Sequence, residues 1–250
     1  MRIAHFVIRI SSFVIDSLFG FRPSGFPLSD AFYNLLWYTG YHAFWASSSP
    51  TVLNAQVTRR PGPYILAANH FSPYDIPLLM RHTARNLDFV SITEVFRNPF
   101  VAWFYGSMNA FPLDRSKPDA PTVRVILDRL SRGRVVAMFP EGQFRSYSNS
   151  VLTGGSIRPG IGRIALLANV PVIPCAVVNS KAYSKFASWL PLRRTWYGIH
   201  YGNPMEPDRS APDPDAAAKA FEDRLRQAFA DLYAPLRERA ERERDRYQFS

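Results

Sequence analysis

The sequence contains one cysteine, Cys175, so no disulfide can form within the chain. Cysteine usage therefore gives no sign of an oxidising compartment. Cys175 lies in the apolar stretch VIPCAVV, where a free cysteine usually acts as a small buried hydrophobic residue and not as a nucleophile. One cysteine and five dispersed histidines also give no Cys/His spacing typical of a zinc site.

Long hydrophobic runs are missing as well. No segment approaches the roughly 20 consecutive apolar residues of a transmembrane helix, because Arg9 and Asp16 interrupt the apolar N-terminus. No small-residue cleavage site stands out there either. On a helix, the polar residues of this stretch share one face: Arg2, His5, Arg9, Ser12 and Asp16. The pattern predicts an amphipathic helix suited to a membrane interface.

A second segment, residues 30–46, is rich in aromatic side chains. They are Phe32, Tyr33, Trp37, Tyr38, Tyr41, Phe44 and Trp45. Tyr and Trp favour the headgroup level of a bilayer, since one end of each is apolar and the other polar. Both N-terminal segments could instead pack against the protein's own core, as apolar stripes usually do. Two of them in succession on a basic chain favour peripheral attachment to the cytoplasmic face of a membrane.

Acidic residues are outnumbered, with 20 Asp and Glu against 30 Lys and Arg and a formal net charge of +10. This balance favours an anionic partner such as phosphates, anionic lipid headgroups or nucleic acid. No helix-turn-helix, zinc-finger or aromatic-plus-basic RNA-binding signature is present, so we expect no nucleic-acid partner. The G-x-S-x-G, H-E-x-x-H, P-loop and G-x-G-x-x-G signatures are also missing, which leaves an α/β-hydrolase nucleophile, a metalloprotease site and nucleotide binding without support.

From Pro63 onward, short β-like runs alternate with helical stretches. Strands are predicted at 64–69, 87–92, 134–139, 172–179 and 196–201, and helices at 75–84, 94–106, 121–132 and 159–169. This alternation predicts an α/β fold with a mixed, mostly parallel sheet flanked by helices, preceded by the N-terminal amphipathic and aromatic helical element. Sites in such sheets form where strand ends meet helix starts.

The C-terminal part reads as a proline-rich connector followed by a long helix. Asp213 can cap this helix, with Pro214 at its first position. Its interleaved Arg and Glu residues favour a solvated helical face over a nucleic-acid-binding arm. We therefore divide the chain into a membrane-associating segment (1–50), an α/β core (51–206) and a linker with a charged helix (207–250).

The stretch AANHFSPYD places His70 and Asp75 just after an apolar run. Ser72, Pro73 and Asp75 have the spacing of a helix start, in which the acid reaches back to the cap amide. That structural role alone would explain Asp75, but it leaves His70 unexplained. A neutral imidazole beside a carboxylate is what a general base requires at neutral pH.

Two further stretches carry candidate ligand-binding residues. In AMFPEGQFRSYSN, Glu141 and Gly142 follow a β-like run, and Arg145 offers a fork that suits a phosphate. An ordinary strand-to-loop turn would show the same Pro and Gly. In AFPLDRSKP, Arg115 and Lys117 could clamp a phosphate or simply be surface charges.

Taken in order, NHFSPYD, GSMNAFPLDR, FPEGQFRS and VPVIPCAVV resemble the four blocks of the glycerolipid acyltransferase family, which includes the lysophosphatidic acid acyltransferases. The resemblance covers about residues 62–205. It implies that His70 is the general base, that Asp75 is its partner and that Arg115 binds the acceptor's phosphate. Pro174 belongs to the block associated with the acyl chain. The substrate-binding residues implied by these blocks are Asn69, Arg115, Glu141, Gly142, Arg145 and Pro174.

Two departures from the family pattern stand out. Gln143 and Phe144 separate Gly142 from Arg145, where the family usually has one residue, so the role of Arg145 is open. Asn109-Ala110 stands where a glycine is common in the second block. This second change is mild, because Asn tolerates a left-handed backbone well.

The resemblance implies an enzyme that transfers a fatty acyl group to the hydroxyl of a lysophospholipid such as 1-acylglycerol-3-phosphate. The donor would be acyl-CoA or acyl carrier protein, with no further cofactor and no metal, at a membrane surface with anionic lipids. Another lyso-lipid or a glycolipid as acceptor stays open. So do a hydrolase that uses the same base on water and a lipid-binding protein without catalysis.

Overall fold

The computed structural model describes residues 27–92, 111–113, 120–191 and 194–248. The predicted N-terminal amphipathic helix, the predicted helix 94–106 and the residues Asn109, Arg115 and Lys117 lie outside this part. The five described helices are α1 (Pro27–Ser47), α2 (Asp75–His82), α3 (Ala120–Ser131), α4 (Ile161–Ala168) and α5 (Pro214–Gln248).

Seven strands form one sheet within the described residues. They are β1 (Thr51–Leu53), β2 (Tyr64–Ala68), β3 (Leu87–Ile92), β4 (Phe111–Leu113), β5 (Val135–Met138), β6 (Val172–Val178) and β7 (Gly198–Tyr201). Their order is β1-β7-β6-β2-β5-β3-β4. All neighbouring strands run parallel except β6 and β7, which are antiparallel. The predicted mixed, mostly parallel sheet is confirmed, and β1 was not foreseen.

Helices cover both faces of the sheet, which explains why β2 and β6 are continuous apolar runs with every residue buried. On one face, α3, α4 and α5 pack through residues such as Ile126, Ile164 and Phe229. On the other face, α1 and α2 contribute Tyr33 and Leu78. Full burial of one such side chain contributes roughly 1.5–3 kcal/mol, so both layers stabilise the sheet.

The C-terminal helix α5 begins as the sequence predicts. Pro214 is its first residue, and the Asp213 carboxylate accepts hydrogen bonds from the backbone N–H groups of Asp215 (2.9 Å) and Ala216 (3.2 Å). Its apolar face is buried on the sheet through Phe221, Leu225 and other residues, while charged side chains line the opposite face. The helix is therefore part of the core as well as a carrier of solvated charge.

Helix α1 packs one side against the core and exposes apolar and aromatic residues on another. Tyr33 is buried against the sheet, whereas Leu35, Tyr38 and Trp45 are exposed. These three residues follow one another at spacings of three and seven, so they share one face of the helix. Within the described residues, no helix is both long enough and apolar enough to cross a membrane.

A buried ion-pair cluster fastens the start of α1 to the sheet. The Asp88 carboxylate near the start of β3 accepts from Arg129 at 2.9 Å and from Arg134 at 2.5 Å. Arg134 also donates to both oxygens of Asp30 on α1, at 2.8 and 3.0 Å. This cluster lies at the edge of the sheet where β3 and β5 begin, opposite the edge where they end.

Candidate active site

The candidate residues of two separate blocks meet at the carboxyl edge of the sheet. β2 and β5 are parallel neighbours, with Ala67 beside Met138. His70 follows the end of β2 by two positions, and Glu141 follows the end of β5 by three. The two loops are joined directly, because the backbone N–H of His70 donates to Glu141 Oε2 at 2.6 Å. Parallel strand ends at one edge thus bring together residues 71 positions apart.

His70 and Asp75 form the predicted pair. His70 Nδ1 lies 2.9 Å from Asp75 Oδ2. The same oxygen accepts from the backbone N–H groups of Phe71 at 2.8 Å and Ser72 at 2.9 Å. The Asp75 side chain is fully buried, while that of His70 is 13% exposed. The acid therefore reaches back to the Ser72 amide as the sequence predicts. The predicted cap at Ser72 with Pro73 as first helical residue is wrong, because α2 begins at Asp75 and Tyr74 is its N-cap.

This geometry determines which imidazole nitrogen is available for chemistry. A carboxylate oxygen that already accepts from two backbone N–H groups is an acceptor for its third partner as well. Nδ1 of His70 therefore carries the proton, and Nε2 keeps a free lone pair. A carboxylate that orients an imidazole in this way leaves Nε2 able to take a proton from a bound hydroxyl or water.

Glu141 is a structural tie between the two loops. Its Oε1 accepts from Ser150 Oγ at 2.8 Å and from the backbone N–H of Val151 at 2.7 Å, while Oε2 accepts from His70 N. Burial raises the pKa of this carboxyl, although the hydrogen bonds from Val151, His70 and Ser150 act in the opposite direction. Both oxygens are used by protein donors, so Glu141 holds the backbone of His70. Its contact with an acceptor stays a prediction.

Asn69 fastens the end of β2 to β6. Its Nδ2 donates to the Val177 carbonyl at 2.9 Å, and its Oδ1 accepts from the Val177 N–H at 2.7 Å. Because Asn69 and Val177 are fully buried, this two-way contact satisfies the Val177 backbone groups just beyond the end of the β2–β6 pairing and sets the position of the next residue, His70. A direct contact of Asn69 with substrate also stays a prediction.

Two arginines lie beside Gly142, which has the left-handed φ of 70°. A Cβ on Gly142 would lie 2.5 Å from both Cδ and Nε of Arg158, so only glycine leaves room for that side chain. The backbone N–H of Arg145 donates to the His70 carbonyl at 2.8 Å. Its Nε is a buried donor with no hydrogen-bond acceptor among the described residues. Arg145 thus lies at the site despite the extra residue before it, and its contact with substrate stays a prediction.

Pro174 and Cys175 lie inside the sheet. Pro174 pairs with Ala67, and its ring lies where a Cβ on Gly202 would meet it, close to Leu232 of α5. That position is a packing position, and the acyl-chain role of Pro174 stays a prediction. Cys175 is fully buried, and burial raises the pKa of its thiol well above the ordinary value. The interpretation of Cys175 as a hydrophobic residue is confirmed.

Several residues at this site were not foreseen from the sequence. Phe139 and Phe144 contact the His70 ring, Ser150 holds Glu141, and Arg158 lies over Gly142. Both Phe139 and Phe144 belong to the stretch AMFPEGQFRSYSN, but nothing in its spacing predicts that they contact a histidine. Arg115, expected to bind phosphate, lies outside the described residues. Among those described, no group of three or more His, Cys, Asp or Glu side chains could hold a metal ion.

A cavity of about 670 Å³ opens at the other end of α2 and includes Arg81, His82 and Arg85 in its lining. It contains none of the candidate site residues. Helix α2 has eight residues, which makes it about 12 Å long. The cavity is thus separated from His70 by the length of the helix.

Known proteins resemble part of this chain. A 1-acyl-sn-glycerol-3-phosphate acyltransferase of Streptococcus pneumoniae is 26% identical over 172 residues, which cover 68% of this chain and 60% of that protein. A protein of the same name from Saccharomyces cerevisiae is 32% identical over 126 residues, 47% of this chain and 39% of that protein. The chain therefore spans about half the length of these relatives.

A solved structure shares the fold. It is the crystal structure of the 1-acyl-sn-glycerophosphate (LPA) acyltransferase PlsC from Thermotoga maritima, with a TM-score of 0.60 and 21% sequence identity. The alignment covers 82% of this chain and 81% of that one. The family described as Acyltransferase matches residues 49–178, which is more than half of the 250 residues and includes His70, Asp75 and Glu141. The chain belongs to the acyltransferase family.

Proposed function

We propose that this protein transfers a fatty acyl group from an acyl thioester to the hydroxyl of a lysophospholipid such as 1-acylglycerol-3-phosphate, with His70 as general base. The observation that carries the proposal is the orientation of His70 by Asp75, with Nδ1 held at 2.9 Å and Nε2 left as the basic atom. The names of the similar proteins support the choice of acceptor. The thioester is the co-substrate, and we propose no further cofactor.

The chemistry needs one base. Nε2 of His70 takes the proton of the acceptor hydroxyl while the oxygen attacks the thioester carbonyl carbon. The tetrahedral intermediate then expels the thiolate, which receives the proton from the imidazolium to leave as free thiol. Asp75 keeps the ring oriented and stabilises its positive charge during the transfer. Such general-base assistance is typically worth about 10²–10⁴-fold in rate.

The acceptor's phosphate finds cationic partners beside the base. The guanidinium of Arg158 lies next to the turn that ends at Gly142. Arg145, whose backbone N–H donates to the His70 carbonyl, has a buried Nε with no acceptor among the described residues. An arginine fork binds two phosphate oxygens at once, so it orients the acceptor as well as attracting it. We propose that Arg145 binds this phosphate together with Arg115, the residue implied by the family blocks.

The lipid substrate calls for a membrane surface. The exposed residues of α1, Leu35, Tyr38 and Trp45, have the composition of an interfacial helix face. The turn Phe186–Trp189 packs against α1 and exposes Phe186, with Lys181 and Lys185 exposed nearby. Apolar and aromatic side chains beside cations suit a bilayer with anionic lipids. We propose peripheral attachment through this surface.

The deciding experiment incubates the purified protein with labelled acyl-CoA, or with labelled acyl carrier protein, and a panel of acceptors. The panel contains lysophosphatidic acid, other lysophospholipids, a neutral monoacylglycerol and a glycolipid. We expect label in the diacyl product with lysophosphatidic acid. His70→Ala should abolish it without changing the melting temperature or vesicle binding, and His200→Gln, at the far side of the sheet, is the matched control.

The acceptor panel also tests the phosphate contact. Arg145→Ala should lower kcat/KM for lysophosphatidic acid much more than for monoacylglycerol, whereas the exposed Arg163→Ala should change neither. Substantial transfer by His70→Ala would reject His70 as the base. Release of free fatty acid at the same rate with and without acceptor would identify a hydrolase instead.

A further inference from the structure

Two phenylalanine rings lie against the imidazole of His70. The Phe139 ring stacks on it with a centroid distance of 3.8 Å and an interplanar angle of 12°. The Phe144 ring is tilted by 49° with its centroid 4.3 Å away. Phe139 is the residue after β5 and stacks in turn on Phe89 of β3, so the sheet holds it in place. Phe144 stands on the loop, and 54% of it is exposed.

These rings leave the imidazole with little access to solvent. The side chain of His70 is 13% exposed, and its Nδ1 is already engaged by Asp75. The loop that carries Phe144 is pinned at this place, because the backbone N–H of the next residue, Arg145, donates to the His70 carbonyl at 2.8 Å. Exposing a large apolar side chain to water costs free energy. Phe144 is exposed at a position where its ring covers the imidazole of His70, which suits a role in shielding that ring.

A base that activates a lipid hydroxyl can also activate water. In that case the oxygen of water attacks the thioester carbonyl, the thiol leaves, and the donor is lost as free fatty acid. Water is always present at the mouth of the site, whereas the lipid acceptor arrives from the membrane. Excluding water from the base is therefore what separates transfer from hydrolysis.

We propose that Phe144 is a positioning residue that keeps the His70 imidazole in place and keeps water away from it until a lipid hydroxyl has bound. The inference deepens the proposed function and rests on it for the identity of the acceptor. Phe144 belongs to the stretch Gln143–Phe144, which is one residue longer than the family pattern. The extra length places an aromatic ring on the catalytic histidine of this chain.

The first measurement is the ratio of free fatty acid to diacyl product, made with labelled acyl-CoA and lysophosphatidic acid. Phe144→Ala should raise this ratio roughly two- to tenfold, the range that follows from the contact energy of an aromatic pair. Phe144→Trp and Phe144→Tyr restore a ring and should return the ratio towards that of the wild type. Leu167→Ala removes an equally exposed apolar side chain on α4 and should leave the ratio unchanged.

A second measurement does not depend on activity. Diethyl pyrocarbonate acylates unprotonated imidazole nitrogens, and mass spectrometry of peptides reports the rate at His70 separately from the other four histidines. Phe144→Ala should raise the rate at His70 by roughly two- to tenfold, while Phe144→Trp should not. Phe144→Val removes the ring and most of the covering bulk, and serves in its place, with a smaller expected rise, if the alanine variant does not fold.

The outcomes separate the two proposals. A wild type that transfers acyl groups, with an unchanged product ratio and an unchanged His70 modification rate in Phe144→Ala, overturns the role of Phe144 alone. Parallel loss of transfer and hydrolysis at a constant ratio has the same meaning. A wild type without transfer to any acceptor overturns the proposed function, and the modification rate then still decides whether Phe144 shields His70.

Discussion

Asp75 lies at the carboxyl edge of the sheet and Asp88 at the opposite edge, and neither side chain has exposed surface. The partners of Asp75 are two backbone N–H groups and the imidazole of His70. The partners of Asp88 are the guanidinium groups of Arg129 and Arg134. Both carboxylates are thus fully buried, and each is compensated by different chemistry.

The difference lies in what the partner can do. Arginine stays protonated in proteins, so a carboxylate between two arginines holds a fixed charge pattern. Histidine takes up and releases a proton near neutral pH, so a carboxylate beside it supports a change of charge. The Asp88 cluster also reaches Asp30 on α1, which makes it a fastening between helix and sheet. We propose that the Asp75 carboxylate serves chemistry, whereas the Asp88 carboxylate joins a helix to the sheet.

The largest expected effect is on catalysis at the first edge. Asp75→Asn keeps the size of the side chain but removes the negative charge beside His70, so the imidazolium that forms on proton transfer loses its stabilisation. We expect kcat to fall by about 10²–10⁴-fold. Steady-state transfer assays measure this, with Asp88→Asn as the comparison. Similar losses of kcat per folded molecule in both variants would remove the distinction between the two edges.

The second effect is on stability at the opposite edge. Asp88→Ala removes the buried carboxylate that Arg129 and Arg134 share, although Arg134 keeps its bonds to Asp30. Removing one partner of a buried ion pair costs about 3–5 kcal/mol. Urea denaturation of the variant and the wild type gives the free energy of unfolding. The folded fraction should retain most of the transfer activity. A loss of less than about 1 kcal/mol would be the value of an exposed pair and would contradict the fastening role.

A second histidine, His82, affects how the stability of the protein depends on pH. His82, at the far end of α2, contacts the Tyr197 hydroxyl, and burial, with a further contribution from Arg81, lowers its pKa from 6.5 to about 4. The native state therefore binds fewer protons than the unfolded state between these values. The contribution of His82 to the free energy of unfolding is therefore complete above pH 6.5 and is lost as the pH falls towards 4.

At pH 5 this linkage amounts to about 2 kcal/mol relative to pH 7. His82→Gln keeps a group that can bond to Tyr197 but does not titrate, so the fall in the free energy of unfolding between pH 7 and pH 5 should shrink by about that amount. Urea titrations at both pH values measure it. An equal fall in the free energy of unfolding for wild type and variant would show that groups other than His82 determine the loss of stability at acidic pH.

Sequence patterns predicted the parts of this protein that depend on local information. The contact of Asp75 with the Ser72 amide and His70 follows from residues within one turn, and α5 begins at Pro214 after an Asp213 cap as predicted. The central strands follow from their continuous apolar runs. These features need no knowledge of distant parts of the chain.

The remaining contacts depend on pairing across long separations. Asn69 reads as part of a motif, yet its amide bonds to Val177, which is 108 positions away. Glu141 reads as a ligand-binding carboxylate, yet its bonds go to His70 and to Ser150 and Val151, outside the block that drew attention to it. The position of Phe144 on His70 depends on how two loops meet, which no spacing in the sequence specifies.

The smallest expected effect concerns Asp30, the outer member of the fastening. Its side chain is 28% exposed and shares Arg134 with Asp88, so Asp30→Asn weakens the hold on α1 while the buried pair remains. We expect a loss of about 1 kcal/mol in the free energy of unfolding, the upper end for a partly exposed pair. Glu206→Gln, which removes the more exposed contact with Arg60 at 3.5 Å, should cost less.

Hydrogen exchange should rise at the start of α1 in Asp30→Asn, while transfer to a soluble short-chain acceptor stays constant. If exchange rises throughout the sheet instead, the cluster supports the core itself and not the attachment of α1.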